Sequence, residues 1–191
     1  MFDLLRSLGV RAGALAAACA ATVAMAHTPQ APREIREAPV TLAVTATLPP
    51  APAGVTELRF RDLITLPIGA RGLEASDTLR ALDGKRVRVV GFMVQQATSV
   101  PGRFLLSPLP AAIGDDDEGL ADDVPPALLE VTLATPQATV AHVAGLLQIS
   151  GTLELGPHES TGNPRIAFAR IHPDARTAKA LTRVSTTVGA P

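Results

Sequence analysis

The sequence predicts an all-β domain with one or two short helices, built as a small five-stranded, OB-like Greek-key barrel. Five segments between residues 85 and 172 carry the apolar or alternating patterns that are typical of strands. The first of them contains Gly91, and a glycine inside a strand permits the sharp bend that lets one long strand serve both ends of a closed sheet. A predicted helix between the third and fourth segments completes the element order of this barrel type.

The N-terminal residues 1–26 have the features of a secretory signal peptide. Arg6 and Arg11 are followed by an uncharged, alanine-rich run, and Ala24-Met-Ala26 forms an A-x-A cleavage pattern before His27. An alternative is a loose lipobox that would leave Cys19 as a lipid-bearing first residue. Both alternatives export the chain to the periplasm, and the second would anchor it to a membrane by lipid. The apolar run is too short for a transmembrane helix, so we expect no membrane span in the mature chain.

Residues 27–54 are rich in proline, alanine and threonine and poor in large apolar side chains. Such a segment gains too little from burial to offset its ordering entropy, so we predict a disordered tether. One alternative stays open, because Val40–Thr45 alternates with a period of two and could dock as an edge strand. The barrel domain is predicted over residues 55–173.

The elements of the domain follow in order. Glu57–Ile64 leads into it, and Ser76 or Asp77 caps a short helix with Leu79 and Leu82 on one face, ended by Gly84. The first barrel strand covers residues 85–96. Its first half alternates between charged and apolar side chains, and its second half is apolar throughout, which indicates that both faces are covered there.

The second strand is predicted at Arg103–Ser107, and a long acidic loop covers Pro108–Pro126. The third strand, Leu128–Leu133, places Leu129, Val131 and Leu133 on one face and Glu130 and Thr132 on the other. Thr135 has the character of an N-cap, Pro136 of a first helical residue and Gly145 of a C-terminal glycine. These three signals predict a short helix between the third and fourth strands.

The fourth strand, Leu146–Leu155, alternates apolar and polar residues, and turn signals follow at Gly156-Pro157 and at Thr161–Pro164. The fifth strand covers Arg165–His172. Residues 174–191 form a polar tail, which we predict to be flexible, either frayed or weakly helical.

Composition excludes several partner classes. The chain has a net charge of −1, no Trp, no Tyr and five Phe, so both the basic excess and the aromatic platforms of a nucleic-acid binder are missing. Cys19 is the single cysteine, and no intrachain disulfide can form. We expect no nucleic-acid partner and no cofactor.

Several blocks of sequence resemble a family of bacterial exported proteins known as domain of unknown function 3299. The blocks are Asp83-Gly-Lys-Arg-Val-Arg-Val-Val-Gly-Phe-Met-Val94, Phe104-Leu-Leu-Ser-Pro108 and Val124-Pro-Pro126. The resemblance implies an OB-type barrel that is periplasmic or lipid-anchored and often accompanies an ABC-type permease. Members typically carry Cys-x-His before a proline run that ends in Asn-Gln, whereas this chain has Ala121-Asp-Asp123 and no Asn-Gln. A metal- or thiol-linked role therefore does not carry over.

Two groups of residues are candidate sites, each with a simpler interpretation beside it. Arg86 and Arg88 lie on the outer face of the first strand and could bind a ligand, although a solvated strand edge is the simpler interpretation of so few charges. His158, Glu159 and His172 lie near the ends of the last two strands and could hold a metal, although ordinary surface histidines need no ligand.

We therefore predict an exported periplasmic binding or accessory protein without enzymatic activity, which binds another component of the envelope, and the family resemblance implies that it assists an ABC-type transport system. No serine elbow and no phosphate-binding loop occurs in the sequence. A metal-binding carrier that uses His158, Glu159 and His172 and a hydrolase of unrecognised type are the alternatives. Ligand, partner and oligomeric state stay open.

Overall fold

The computed structural model describes residues 35–70, 72–113, 125–159 and 166–187, without the side chains of residues 157–159, 166, 186 and 187. In chain order these residues form the following elements: β1 (Ile35–Glu37), β2 (Thr56–Leu58), a 3-10 turn (Phe60–Asp62), α1 (Asp77–Ala81), β3 (Arg86–Met93), β4 (Gln95–Gln96), β5 (Arg103–Ser107), β6 (Ala112–Ile113), β7 (Leu129–Thr132), β8 (Ala138–Val140), β9 (His142–Ala144), β10 (Leu146–Glu159), β11 (Ile166–Pro173), α2 (Ala175–Thr182) and β12 (Ser185–Thr187).

Five strands close into a barrel with the predicted connectivity. The hydrogen-bonded order is β10-β11-β7-β5-β3, and a further pairing between β10 and β3 closes the ring. The β7–β11 pair is parallel and the other four pairs of the ring are antiparallel. This is the strand order of an OB-type Greek-key barrel, so the predicted fold class is confirmed.

The first barrel strand, β3, changes partners along its length. It pairs with β10 from Arg86 to Phe92, with the short parallel β2 over Val87–Val89, and with β5 only at Phe92 and Met93. Gly91 lies where the neighbour changes. A Cβ on Gly91 would lie 2.7 Å from Cε2 of Phe60 and 2.8 Å from the carbonyl oxygen of Ser107. Only a residue without a side chain fits this close approach.

One apolar core fills the barrel and extends beneath α1 and α2. The inward positions predicted for the fourth strand are confirmed at Leu147, Ile149 and Leu153, which are fully buried, whereas Leu155 is only half-buried. A smaller cluster outside the barrel joins Val94, Leu105 and Leu128.

Helix α1 follows the prediction closely. The side chain of Ser76 accepts a hydrogen bond from the backbone N–H of Leu79 at 3.0 Å, and Leu79 and Leu82 are buried on one face. Gly84 has a φ of +68°, a conformation that glycine adopts without steric cost.

The helix predicted between Thr135 and Gly145 is wrong. Strands β8 and β9 occupy this stretch, with β8 paired to β12 and β9 paired in parallel to β1. The local helix-capping signals are outweighed, because two segments distant in sequence form β-ladder hydrogen bonds with this stretch. The predicted turn at Gly156-Pro157 is also wrong, since β10 continues to Glu159 and these two residues lie at a shift of register.

Part of the predicted tether belongs to the domain. Leu42 is 2% exposed within the core, Ala43 bridges to Leu147, and the N–H of Gln148 donates to the carbonyl of Leu42 at 2.8 Å. The segment Val40–Thr45 therefore docks on the domain, but as a turn with a single bridge at Ala43 and not as the edge strand of the alternative. Its alternating pattern buries one apolar side chain and pairs the backbone beside β10. The predicted signal peptide, Cys19 and residues 27–34 lie outside the described residues.

The segment after Pro173 forms helix α2 and then strand β12, rather than a flexible tail, up to residue 187. Asp174 caps α2 by accepting from the N–H of Thr177 at 2.9 Å, and Ala180, Leu181 and Val184 are buried in the core. Strand β12 then pairs with β8. The predicted flexible tail therefore does not describe residues 174–187, because three of their apolar side chains are buried in the core, and residues 188–191 lie outside the described residues. Among the described residues, neither helix has the length and apolarity needed to cross a membrane.

Candidate functional site

A pocket of about 410 Å³ lies at the end of strand β3. Three short segments form its walls: Phe92, Met93 and Gln95 from the end of β3 and from β4, Pro110–Ala112 at the start of β6, and His142–Gly145 from β9 and the glycine that follows it. The pocket therefore forms where the bent first strand leaves the barrel.

The backbone around the pocket is held by hydrogen bonds between its walls. The N–H of Val143 donates to the sulfur of Met93 at 3.4 Å, and the N–H of Gln95 donates to the carbonyl of Ala111 at 2.9 Å. Phe92 pairs with both Ser107 and Leu146. These contacts join β3, β4, β6 and β9, so the cavity is formed before any ligand binds.

The lining is apolar except for two side chains. Gln95 and His142 contribute polar atoms, and the other lining residues that the structure describes are apolar or glycine, with no charged side chain among them. Phe92 is only half-buried and leaves part of its ring open to solvent. A concave, mostly apolar surface with few polar groups is the usual form of a small-molecule site.

His142 is held in its neutral form. Its Nδ1 atom is enclosed and has no hydrogen-bond partner within the part of the chain that the structure describes. Burial lowers the pKa of His142 below the usual 6.5, because the imidazolium would lose its hydration there. At neutral pH the pocket therefore contains an uncharged imidazole.

The predicted basic stripe on the first strand does not form a free surface. Arg88 is 5% exposed, its Nε donates to Oε1 of Glu57 at 2.9 Å, and its Nη2 donates to the carbonyl of Pro49 at 2.6 Å. Arg86 is exposed and lies 3.6 Å from a carboxylate oxygen of Asp174. The prediction that Arg88 binds a ligand is therefore corrected, since its guanidinium is already bound inside the protein.

The predicted metal-binding residues do not converge. On the hairpin of β10 and β11, His158 pairs with Ala167, whereas His172 pairs with Thr152. The five residues from Ala167 to His172 span about 16 Å along a strand, which is too far for two histidines that share one zinc ion. His172 instead contacts Glu154, with 2.6 Å between Nε2 and Oε2.

Glu159 pairs with Ile166 at the same end of the hairpin as His158, so it too lies far from His172 along the strands. In the described ranges no group of three or more histidine, cysteine, aspartate or glutamate side chains is placed to hold a metal ion. The acidic residues at positions 115–118, 122 and 123 lie outside those ranges.

A chain of alternating charges crosses the outer face of the barrel, and sequence reasoning missed it. Glu130, expected on a wet face, is 2% exposed, with Oε2 3.7 Å from Nη1 of Arg103 and Oε1 3.9 Å from Nε of Arg170. Arg170 also lies 3.9 Å from Glu154. The alternation is visible only once the register of β5, β7, β11 and β10 is known, so a single strand gives no signal for it.

Sequence reasoning also missed two side chains of the pocket lining, the imidazole of His142 and the ring of Phe92. His142 lies within the stretch that the sequence predicts as a helix. Phe92 lies in the apolar half of the predicted first strand. The apolar run at Val90–Val94 was the available signal, because it indicated that something covers the outer face of β3 at this end.

No protein-family model matches the chain, and no curated protein matches its sequence. A search of solved structures finds similarity to the crystal structure of a DUF3299 family protein (PA4066) from Pseudomonas aeruginosa PAO1. The alignment covers 71% of this chain and 97% of that chain, with 16% sequence identity and a TM-score of 0.40. Its family is the one that the sequence blocks around Gly91 resemble, and the function of that family is unknown.

Proposed function

We propose that this chain is an exported binding protein of the bacterial envelope, and that it holds an apolar ligand, or an apolar group of a larger partner, in the pocket at the end of β3. One observation carries the proposal: a preformed cavity of about 410 Å³ whose lining has no charged side chain and includes a half-exposed Phe92. Cavities of roughly 300 to 1,000 Å³ are typical of small-molecule sites.

A role without catalysis is part of the proposal. Among the residues that the structure describes, the pocket lining has one titratable side chain, His142, and no carboxylate, cysteine or serine. General acid–base and nucleophilic catalysis both rely on a second group that orients or activates the first. The lining therefore favours binding over turnover.

Export rests on the signal-like residues 1–26 and on the cleavage pattern before His27. Mass spectrometry of the intact protein from the envelope fraction is expected to give a chain that begins at His27. A mass that fits an acylated Cys19 would instead establish a lipoprotein. The accessory role beside an ABC-type permease stays a prediction that comes from the family resemblance.

The binding experiment uses N-phenyl-1-naphthylamine, a neutral apolar dye whose fluorescence rises when it leaves water. With about 17 non-hydrogen atoms at roughly 0.3 kcal/mol each, we expect a dissociation constant of about 200 µM. Two variants narrow the pocket from opposite walls: Ala112→Phe and Ala144→Phe. Both alanines are exposed, so the larger side chain does not enter the core.

We expect each variant to weaken dye binding by about tenfold, because the added ring occupies the space that the dye needs. Ala81→Phe is the matched control, since it adds the same side chain at an exposed alanine of α1 outside the pocket. Unchanged dye binding in both pocket variants, or equal loss in the control, would contradict the proposal.

A further inference from the structure

We infer that the ligand of this pocket carries a neutral hydrogen-bond acceptor of the carbonyl class, as in a ketone, an ester or an amide, which accepts from the Nε2–H of His142. The inference rests on the proposed function, because it names the chemistry of the molecule that the pocket would hold. Four observations lead to it: the enclosed Nδ1 of His142, the accessible Nε2 of the same ring, the uncharged described lining, and the side-chain amide of Gln95 as a second donor.

The enclosed Nδ1 sets the tautomer of His142. A neutral imidazole has one N–H donor and one acceptor nitrogen, and Nδ1 has no partner among the described residues. A buried donor without a partner is rarer in proteins than a buried acceptor without one. The proton of the neutral ring therefore belongs on Nε2, and Nδ1 keeps its lone pair.

The Nε2 atom remains available to a ligand. His142 is half-buried, and Nδ1 is the one of its two ring nitrogens that is both enclosed and unpartnered. The described hydrogen bonds of His142 do not involve its side chain, so Nε2 is left to solvent. A ligand that covers Nε2 excludes solvent from it and must supply a hydrogen bond in its place.

Gln95 supplies a second donor. Its side chain is half-buried in the lining, and its backbone, rather than its amide group, makes the hydrogen bond to Ala111. The carboxamide can therefore donate from its NH₂ group to the same ligand or to a second acceptor. Both polar groups of the pocket can thus donate to an acceptor.

The uncharged lining disfavours an anionic ligand. A carboxylate would lose its hydration without a lysine or arginine to pair with it, and burial keeps His142 neutral. A ligand hydroxyl finds Nδ1 enclosed, and the carboxamide oxygen of Gln95 is the one side-chain acceptor left to it in the described lining. A neutral carbonyl oxygen matches the available donors without leaving a charge unpaired.

The test compares two molecules of nearly the same shape, acetophenone and α-methylstyrene, in which a C=O group replaces a C=CH₂ group. Their affinities are measured by NMR titration for the mature protein and for the His142→Leu variant. We expect the ratio of the acetophenone affinity to the α-methylstyrene affinity to fall by about 3- to 10-fold in the variant, the value of one net hydrogen bond. Because the same two molecules are compared in both proteins, the difference in their hydrophobicity cancels from the change in the affinity ratio.

A ratio that is the same in both proteins, with α-methylstyrene still bound, would overturn the role of His142 and leave the proposed function standing. Failure of both molecules to bind the parent would overturn both proposals. Benzoate is expected to bind at least tenfold more weakly than acetophenone, and tighter binding of benzoate would overturn the inferred ligand class.

A measurement on the parent protein does not depend on the folding of the variant. The ¹⁵N resonances of the imidazole report which nitrogen carries the proton, and acetophenone is expected to shift the Nε2 resonance of His142. A free protein in which Nδ1 is protonated would contradict the inference directly.

Discussion

Replacing Gly91 by alanine should destabilise the domain by about 2 kcal/mol. The new Cβ would lie 2.8 Å from the carbonyl oxygen of Ser107 and 2.7 Å from the ring of Phe60. Both distances are shorter than real Cβ atoms show, and forcing extra volume into a packed site typically costs about 1 to 3 kcal/mol. Alanine fits strands slightly better than glycine by intrinsic propensity, so the measured loss would come from the clash.

The two contacts can be separated. The Phe60 ring belongs to a side chain that can move, whereas the Ser107 oxygen belongs to the backbone of β5 and is fixed by the barrel. We therefore expect at least half of the cost, about 1 kcal/mol, to persist when Gly91→Ala is measured in a Phe60→Leu background. Gly91→Val should cost more than Gly91→Ala, about 3 to 4 kcal/mol, because it adds two further methyl groups.

Urea denaturation followed by circular dichroism gives the free energies of unfolding. Gly69→Ala is the control, since Gly69 has no neighbour within 4 Å of a new Cβ and should change stability by less than about 0.5 kcal/mol. A Gly91→Ala protein as stable as this control would refute the argument that the first strand bends because position 91 has no side chain.

Three further predictions concern other contacts. Glu57→Gln should lower the free energy of unfolding by about 1 to 2 kcal/mol, since it leaves the buried guanidinium of Arg88 without its anion, and adding Arg88→Met should recover most of that loss in urea melts. Leu42→Ala should cost about 2 to 4 kcal/mol in the same assay, whereas a disordered tether would show no effect. Because the pKa of His142 is lowered in the folded state, the unfolded chain takes up a proton first as the pH falls below 6.5, so stability should fall below that pH in the parent and fall less in His142→Leu. Equal pH dependence of the two proteins, measured by urea melts at about pH 7.5 and pH 5.5, would contradict this. The charged groups near His142 do not change the expected direction, because the described lining of the pocket has no charged side chain and the neighbouring strand β1 carries one positive and one negative residue, Arg36 and Glu37.

The barrel could be predicted because its information is local. Each of its five strands carries its own alternation, and the glycine at position 91 marks the bend within the same stretch that forms the strand. The cap of α1 at Ser76 is equally local, and so are the buried Leu79 and Leu82. These features need no knowledge of distant residues.

The errors concern residues whose partners are far away in the sequence. The signals at Thr135 and Gly145 favour a helix in isolation, but β8 pairs with residues 185–187 and β9 with residues 35–37. Tertiary pairing overrides local propensity in such cases. The burial of Glu130 likewise depends on Arg103 and Arg170 from two other strands, which no single segment reveals.

The candidate site was missed for the same reason. Its walls come from three segments that are separated by about 15 to 30 residues, and neither His142 nor Gln95 belongs to a recognisable motif. The sequence could indicate that the outer face of β3 is covered near Val94. It could not indicate that the cover leaves a cavity.

The docking of residues 35–44 changes how far the domain could travel from an anchor. If the chain left the barrel at residue 55, 36 residues would join the domain to an acylated Cys19, a distance of about 125 Å when fully extended. With the chain fixed against β9 and β10 from Ile35 onward, 16 residues remain, and the reach shrinks to about 55 Å. In a lipid-anchored form, the pocket at the end of β3 would then stay closer to the anchoring membrane than a 36-residue tether would allow.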